Sequence, residues 1–314
     1  MTEAARAAAA DPAGQHSDEP VPTTPDGAAC GQPVLDRLVA LLDLERIEEN
    51  IFRGVSPAES PTRVFGGQVA GQALVAAGRT VPAERKVHSL HAYFIRGGDP
   101  SIPIVYEVDR IRDGRSFTTR RVVAVQRGKA IFSLSASFQL PEQGLDHAVT
   151  MPEVPDPLTL PPFHELVAKY QDRLNVFARL PRPIDVRYVT EPAWVSRETG
   201  PRAAHNQVWM KADGRLPDDE LLHVCLLAYA SDMTLLDSVL ARHGVYWGTD
   251  KVIGASLDHA MWFHRPFRAD DWFLYDCESP NASGARGLAT GRFFSRDGRL
   301  VATVVQEGLL RVIP

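Results

Sequence analysis

Three polar residues stand where the surrounding pattern is apolar: Asp232, Ser256 and Gln306. Asp232 falls within a helically spaced stripe of Cys225, Ala228/Tyr229, Leu235/Leu236 and Val239. An ionised carboxylate there is costly unless hydrogen-bonded, and Asp is rarely fully buried without a polar partner. The plainer alternative is a cap or kink, because Ser231-Asp232 together can stop a helix. Gln306 shares one face of a strand-like run with Leu300, Ala302, Val304, Gly308 and Leu310, all apolar or small. It marks either the strand's exit from the core or an amide that orients something in a pocket. Ser256 lies in Gly254-Ala255-Ser256-Leu257-Asp258, which fails the G-x-S-x-G nucleophile elbow because Asp258 replaces the last Gly. Its hydroxyl is read as a hydrogen-bonding group, with a structural serine at a strand start as the alternative.

Other chemistries find less support. His259 and His264 are five apart and His88 and His91 three apart, and odd separations on a strand point to opposite faces. No HExxH is present. Gly66 and Gly71 have a phosphate-loop spacing, but Gln72 stands where that loop needs Lys. Small residues letting a helix lie close to a sheet is the simpler reading. Arg110, Arg112, Arg115, Arg120, Arg121 and Arg127, then Arg265, Arg268, Arg286 and Arg292, could meet phosphates. A solvated sheet face is the more ordinary role for each.

The elements that must position these groups repeat. A Gly/Ala-rich helical segment, Phe65 to Gly78, precedes a strand-like piece, His88 to Arg96, and a β-rich stretch, Ile104 to Leu140. A second helical segment, Leu221 to Leu240, precedes Ser256 to Arg265 and β-rich stretches from Trp272 to Arg311. Gly128-Lys129 matches Gly298-Arg299 at an offset of about 170, and Arg96 matches Arg265, each after an aromatic pair, Tyr93-Phe94 or Trp262-Phe263. At the same offset Gln306 corresponds to Ala136, so the polar group occurs in one block only. That asymmetry fits a duplicated fold with a single working site. Gly128-Lys129 and Asp297-Gly298 read as hairpin turns.

The division expected is a disordered tail (1–33, rich in Ala, Pro and Gly), a first repeat (34–145), a Pro-rich linker (146–190) with a short helix near His164 to Leu174, and a second repeat (191–314). The chain has 314 residues, 44% hydrophobic and 23% charged, with net charge −5. This is a globular composition, and it lacks the basic balance expected of a nucleic-acid binder. Cys30, Cys225 and Cys277 form no CxxC pair, which fits a reducing cytosol. The longest uncharged stretch, Val64 to Gly78, is broken by glycines and shorter than the roughly 20 residues of a membrane span. No secretory signal or C-terminal address is seen.

Several stretches together resemble the acyl-CoA thioesterase II, or TesB-like, family. They are Leu44 to Gly54, Val64 to Leu74, Val87 to Phe94, Val208-Trp209, Leu216 to Asp219, Tyr229 to Asp232, Asp258 to Pro266 and Val305 to Gly308. The resemblance runs from about residue 35 to the C-terminus. It implies an α+β double hot dog: two fused repeats, each an antiparallel sheet wrapped around a long central helix. It also implies hydrolysis of acyl-CoA to free acid and coenzyme A without metal or cofactor. The family's catalytic Asp, Thr/Ser and Gln map onto Asp232, Ser256 and Gln306. Serine at 256, where Thr is usual, keeps the hydroxyl but loses the methyl that fixes its rotamer.

The mechanism expected is direct attack by a water held by these three groups, with Asp232 as general base and a helix N-terminal N–H at the oxyanion. His88 is a candidate to support the site from behind, with an ordinary core or surface histidine as the plainer reading. The acyl chain is expected in an apolar channel between helix and sheet, with CoA phosphates near some of the arginines. By analogy with the family, a cytoplasmic homodimer or higher homo-oligomer is expected. One rival is a non-catalytic acyl-CoA binding protein, separated by whether substrate is consumed. The other, a hot-dog enoyl-CoA hydratase, lacks its G-D-x-N-P-x-H pattern here.

Overall fold

Alternation of apolar and polar residues sets the strands. In the first half β1 (Glu45–Glu48), β2 (Ile51–Gly54), β3 (Lys86–Phe94), β4 (Ile104–Asp113), β5 (Phe117–Gln126) and β6 (Lys129–Gln139) accompany α1 (Gln32–Leu42) and α2 (Gly66–Gly78). After α3 (Phe163–Lys169) the second half has β7 (Ile184–Tyr188), β8 (His205–Ala212), α4 (Glu220–Ser231), α5 (Asp237–His243), β9 (Val252–Ser256), β10 (Asp258–Phe263), β11 (Phe273–Ser283), β12 (Arg286–Ser295) and β13 (Leu300–Val312). The structure, a computed structural model, describes residues 22–23, 28–57, 60, 62–170, 180–192, 194–195, 202–247 and 252–313.

One antiparallel sheet runs β1-β2-β4-β5-β6-β3-β10-β13-β12-β11-β8-β7, with β9 also on β13. The order is palindromic about the β3–β10 seam, where His259 pairs with Ala92 and Met261 with Leu90. The duplication extends to single bonds. Arg96 Nη1 donates to the Ala130 carbonyl at 2.6 Å and Arg265 Nη1 to the Leu300 carbonyl at 3.0 Å. The β5–β6 hairpin turns through Arg127 and Gly128, both at positive φ, and Gly298 does the same before β13. Lack of a Cβ makes Gly the residue for these conformations.

α2 is buried along nearly its whole length. Its glycines face another helix, α4, rather than the sheet: a Cβ on Gly67 would collide with the Tyr229 carbonyl, and one on Gly71 would lie 3.1 Å from the Cys225 carbonyl. The two helices therefore lie antiparallel, with the start of α2 against the end of α4. Four glycines in a helix each cost about 1 kcal/mol relative to Ala; close helix packing is the return.

Two expectations change. Leu221 to Leu240 is not one helix, because α4 stops at Ser231, five residues form a turn, and α5 begins at Asp237. The apolar period continues through the break, which is why the sequence reads as unbroken. The linker helix ends at Lys169, and residues 171–179 lie outside the described set. Most of 1–33 also lies outside it, but Ala28 is fully buried and α1 begins at Gln32. No helix among the described residues is long and apolar enough to cross a membrane.

Candidate active site

The break after α4 puts Asp232 at that helix's C-cap. The cap reading and the buried-polar reading of this residue are thus both realised. The antiparallel packing brings its carboxylate to the first turn of α2, where it accepts a hydrogen bond from the Gly67 N–H. A helix N-terminus favours a negative charge. A Cβ on Gly66 would lie 2.5 Å from Asp232 Oδ2 and 2.8 Å from the Phe94 ring, so Gly66 is what lets the carboxylate come this close.

Ser256 and Gln306 meet the same carboxylate. Ser256 Oγ donates to Asp232 Oδ1 at 3.1 Å. Gln306 Nε2 donates to Asp232 Oδ1 at 2.9 Å and to Ser256 Oγ at 2.7 Å. Ser256 closes β9 rather than opening the strand after it, and Leu257 is the irregular residue before β10. Its place is fixed by pairing with Gly308 on β13, two residues beyond Gln306. Gln306 faces the core from β13 and is 1% exposed. The structure thus brings together Asp232, Ser256 and Gln306, separated by up to 74 residues in sequence.

His259 joins this cluster, a place that the spacing of histidine pairs along one strand does not reveal. It is 1% exposed. Its Nδ1 lies 2.7 Å from Gln306 Oε1 and its Nε2 lies 2.8 Å from Ser231 Oγ. The signal was available: by the Arg96/Arg265 offset, His259 corresponds to apolar Leu90, just as Gln306 corresponds to Ala136. Leu90 and Ala136 are register partners in the first half.

Burial lifts the Asp232 carboxyl above the ordinary carboxylate range, against the opposing pull of His259, Gln306, Ser256 and the Gly67 N–H. Burial also holds His259 below the ordinary imidazole value.

His88 does not reach this cluster. It lies near the start of β3, bonded to Ser137 Oγ at 2.9 Å, while the strand's other end, Phe94, abuts Gly66. Six residues of strand span about 20 Å. The candidate phosphate-binding arginines are mostly tied up in pairs or with carbonyls. Arg121 meets Asp109, Arg286 meets Glu307, Arg268 meets Asp218 and Asp270, and Arg265 meets Asp146. Arg120 is buried against Thr80 and Asp113. Arg110 and Arg120 line a cavity of about 390 Å³ at the far end of α2 from Asp232, and a 13-residue helix is about 20 Å long.

Comparison with known proteins places the chain. Two family profiles match: "Acyl-CoA thioesterase N-terminal domain" over residues 56–139 and "Acyl-CoA thioesterase" over residues 177–309. Mouse acyl-coenzyme A thioesterase 8 is 42% identical, covering 88% of this chain and 89% of its own. Acyl-CoA thioesterase 2 of Haemophilus influenzae is 40% identical, over 88% and 98%. The crystal structure of the acyl-CoA thioesterase II TesB2 from Mycobacterium marinum is 45% identical, with TM-score 0.72 over 88% and 98%. A hot-dog-fold protein from Alicyclobacillus acidocaldarius, 21% identical with TM-score 0.74, shares the fold. The chain belongs to the acyl-CoA thioesterase II family.

Proposed function

We propose that this protein hydrolyses fatty acyl-CoA to the free acid and coenzyme A by direct attack of a water held by Asp232, Ser256 and Gln306. The observation that carries this reading is the convergence of Gln306 Nε2, Ser256 Oγ and the Gly67 N–H on one buried carboxylate. Asp232 takes a proton from the water as its oxygen adds to the thioester carbonyl carbon. The tetrahedral oxyanion is assigned to N–H groups in the first turn of α2, the turn whose Gly67 N–H meets Asp232. Collapse breaks the C–S bond, and the proton held by Asp232 passes to the departing thiolate. Phe65 and Tyr229 pack edge to face at 5.1 Å, and Phe94 and Phe132 pack at 5.1 Å, so the approach to Gly66 is apolar and suits an acyl chain. The buried thiols of Cys225 and Cys277 fit a cytoplasmic setting, and the assembly proposed is a homodimer or larger homo-oligomer.

The test is free-thiol release from short, medium and long acyl-CoAs. Release at catalytic rates supports the reading, and binding without release would favour a non-catalytic acyl-CoA binder.

The pH dependence follows from the site. The active form of Asp232 is ionised, and burial raises its pKa. Activity is therefore expected to fall as pH drops, along an acid limb centred above the ordinary Asp value of about 3.9. A kcat/KM profile with its acid limb at or below about 4 would contradict this assignment of the base.

A further inference from the structure

The polar cluster continues one residue past the three groups that hold the water. Gln306 is fully buried, and its side-chain amide has two faces with opposite needs. One end lies against Asp232 Oδ1 and Ser256 Oγ, the other against His259 Nδ1. A carboxylate accepts hydrogen bonds and never donates when ionised. With the amide oxygen turned toward Asp232, two acceptors would face each other in a buried site, which is unfavourable because neither is then paired. With the amide nitrogen turned toward Asp232, every partner is satisfied.

We propose that His259 is a positioning residue that locks the Gln306 amide in its water-holding orientation by donating Nδ1–H to Gln306 Oε1. The proposal rests on the hydrolytic reading given above. Gln306 Oε1 can only accept, so the contact requires a hydrogen on His259 Nδ1. Nε2 lies 2.8 Å from Ser231 Oγ, whose hydroxyl also reaches the Ala228 carbonyl at 2.9 Å. The result is a directed chain from His259 to Gln306, from Gln306 to Asp232 and Ser256, and from Ser256 to Asp232, with Ser231 in contact with the far side of the imidazole. Ser231 directly precedes Asp232, so the chain leaves α4 through one residue and returns to it through the next. The Tyr275 hydroxyl donates to the Ser231 carbonyl at 2.9 Å and steadies that end.

The duplicated fold provides an internal comparison. At the matching places the first half carries Leu90 and Ala136, both buried and register partners on β3 and β6. The imidazole and the amide are thus present together in one half and absent together in the other. A histidine placed for packing alone has no need of an amide partner, since the first half fills the same layer with Leu and Ala.

The experiment compares His259→Leu, His259→Asn and His259→Gln, each alone, and His259→Leu also with Gln306→Ala, in acyl-CoA hydrolysis beside wild type and Asp232→Asn. Asn presents its amide nitrogen near the place of Nδ1, whereas Gln presents its own near Nε2. His259→Leu is expected to lower kcat about 30- to 100-fold with KM changed less than about 3-fold, as for a small misplacement of a reacting group. His259→Asn should recover most of that loss and His259→Gln should not. In the Gln306→Ala background, His259→Leu should cost less than about 3-fold further, because residues acting as a unit are non-additive. If the Leu variant does not fold, the Asn and Gln variants decide. Equal activity of Asn and Gln, or an additive loss in the double variant, overturns the positioning role. A wild type without Asp232-dependent turnover overturns the hydrolytic reading and this proposal with it. Asp232-dependent turnover with kcat unchanged in His259→Leu overturns the positioning role alone.

Discussion

Asp232→Asn is expected to lower kcat/KM for acyl-CoA hydrolysis by about 10³-fold, a value within the usual range for loss of a general base and equal to about 4 kcal/mol of transition-state stabilisation. Asn keeps the size and the hydrogen-bonding oxygen but cannot take a proton from water. The loss should not come from unfolding. Burial raises the folded-state pKa of Asp232, so its stabilising contribution is present at low pH and is lost as pH rises through that raised value. At pH 8 the neutral Asn variant should therefore unfold at a temperature no lower than wild type. Thermal unfolding and thiol release on the same preparations check both parts. A variant that retains near wild-type turnover would remove Asp232 as the base.

Gly66→Ala is expected to cost about 10²-fold in kcat, through displacement of the carboxylate rather than loss of any chemical group. The added methyl would stand 2.5 Å from Asp232 Oδ2 and 2.8 Å from the Phe94 ring, closer than real contacts allow, so one or both must shift. Alanine is the better helix residue by up to about 1 kcal/mol, and Gly66 has no positive φ that would penalise it. The variant should fold with most of its activity gone. Gly71→Ala, five residues along α2, offers the contrast. Its methyl would lie 3.1 Å from the Cys225 carbonyl and 3.2 Å from Leu42. It should lower stability by about 1–3 kcal/mol through overpacking and leave kcat within about 3-fold. Equal kcat in Gly66→Ala and wild type would show that the close approach of α2 to Asp232 is not needed for turnover.

These two residues also show what a sequence can and cannot reveal here. The alternation along β5, β6 and β13, the turn glycines and the 170-residue offset are local or repetitive signals, and the strands they indicate are present. Gln306 was visible because one repeat is polar where the other is apolar. The same comparison applied to His259 and Leu90 would have found the histidine. Histidine spacing along one strand does not show it, because its partners, Gln306 and Ser231, lie on other elements. The role of Gly66 was not legible at all. Small residues signal a close approach without naming the neighbour, and the neighbour here is the end of α4, more than 160 residues away. The stop in α4 was hidden because Leu235, Leu236 and Val239 continue the apolar period beyond the turn and remain buried in the core. Ser256 looked like the start of a strand because the irregularity at Leu257 has no glycine or proline to announce it.

The central claim is that water attacks the thioester directly. Ser256 Oγ donates to Asp232, so a covalent route through that hydroxyl is the competing chemistry. Rapid-quench kinetics with enzyme in near-stoichiometric amount, following coenzyme A, free acid and intact enzyme mass together, separates the two. Direct attack expects coenzyme A and acid to appear in step, with no mass increase on the enzyme. A burst of coenzyme A ahead of the acid, with an acyl group added to the chain at Ser256 or Asp232, would contradict it.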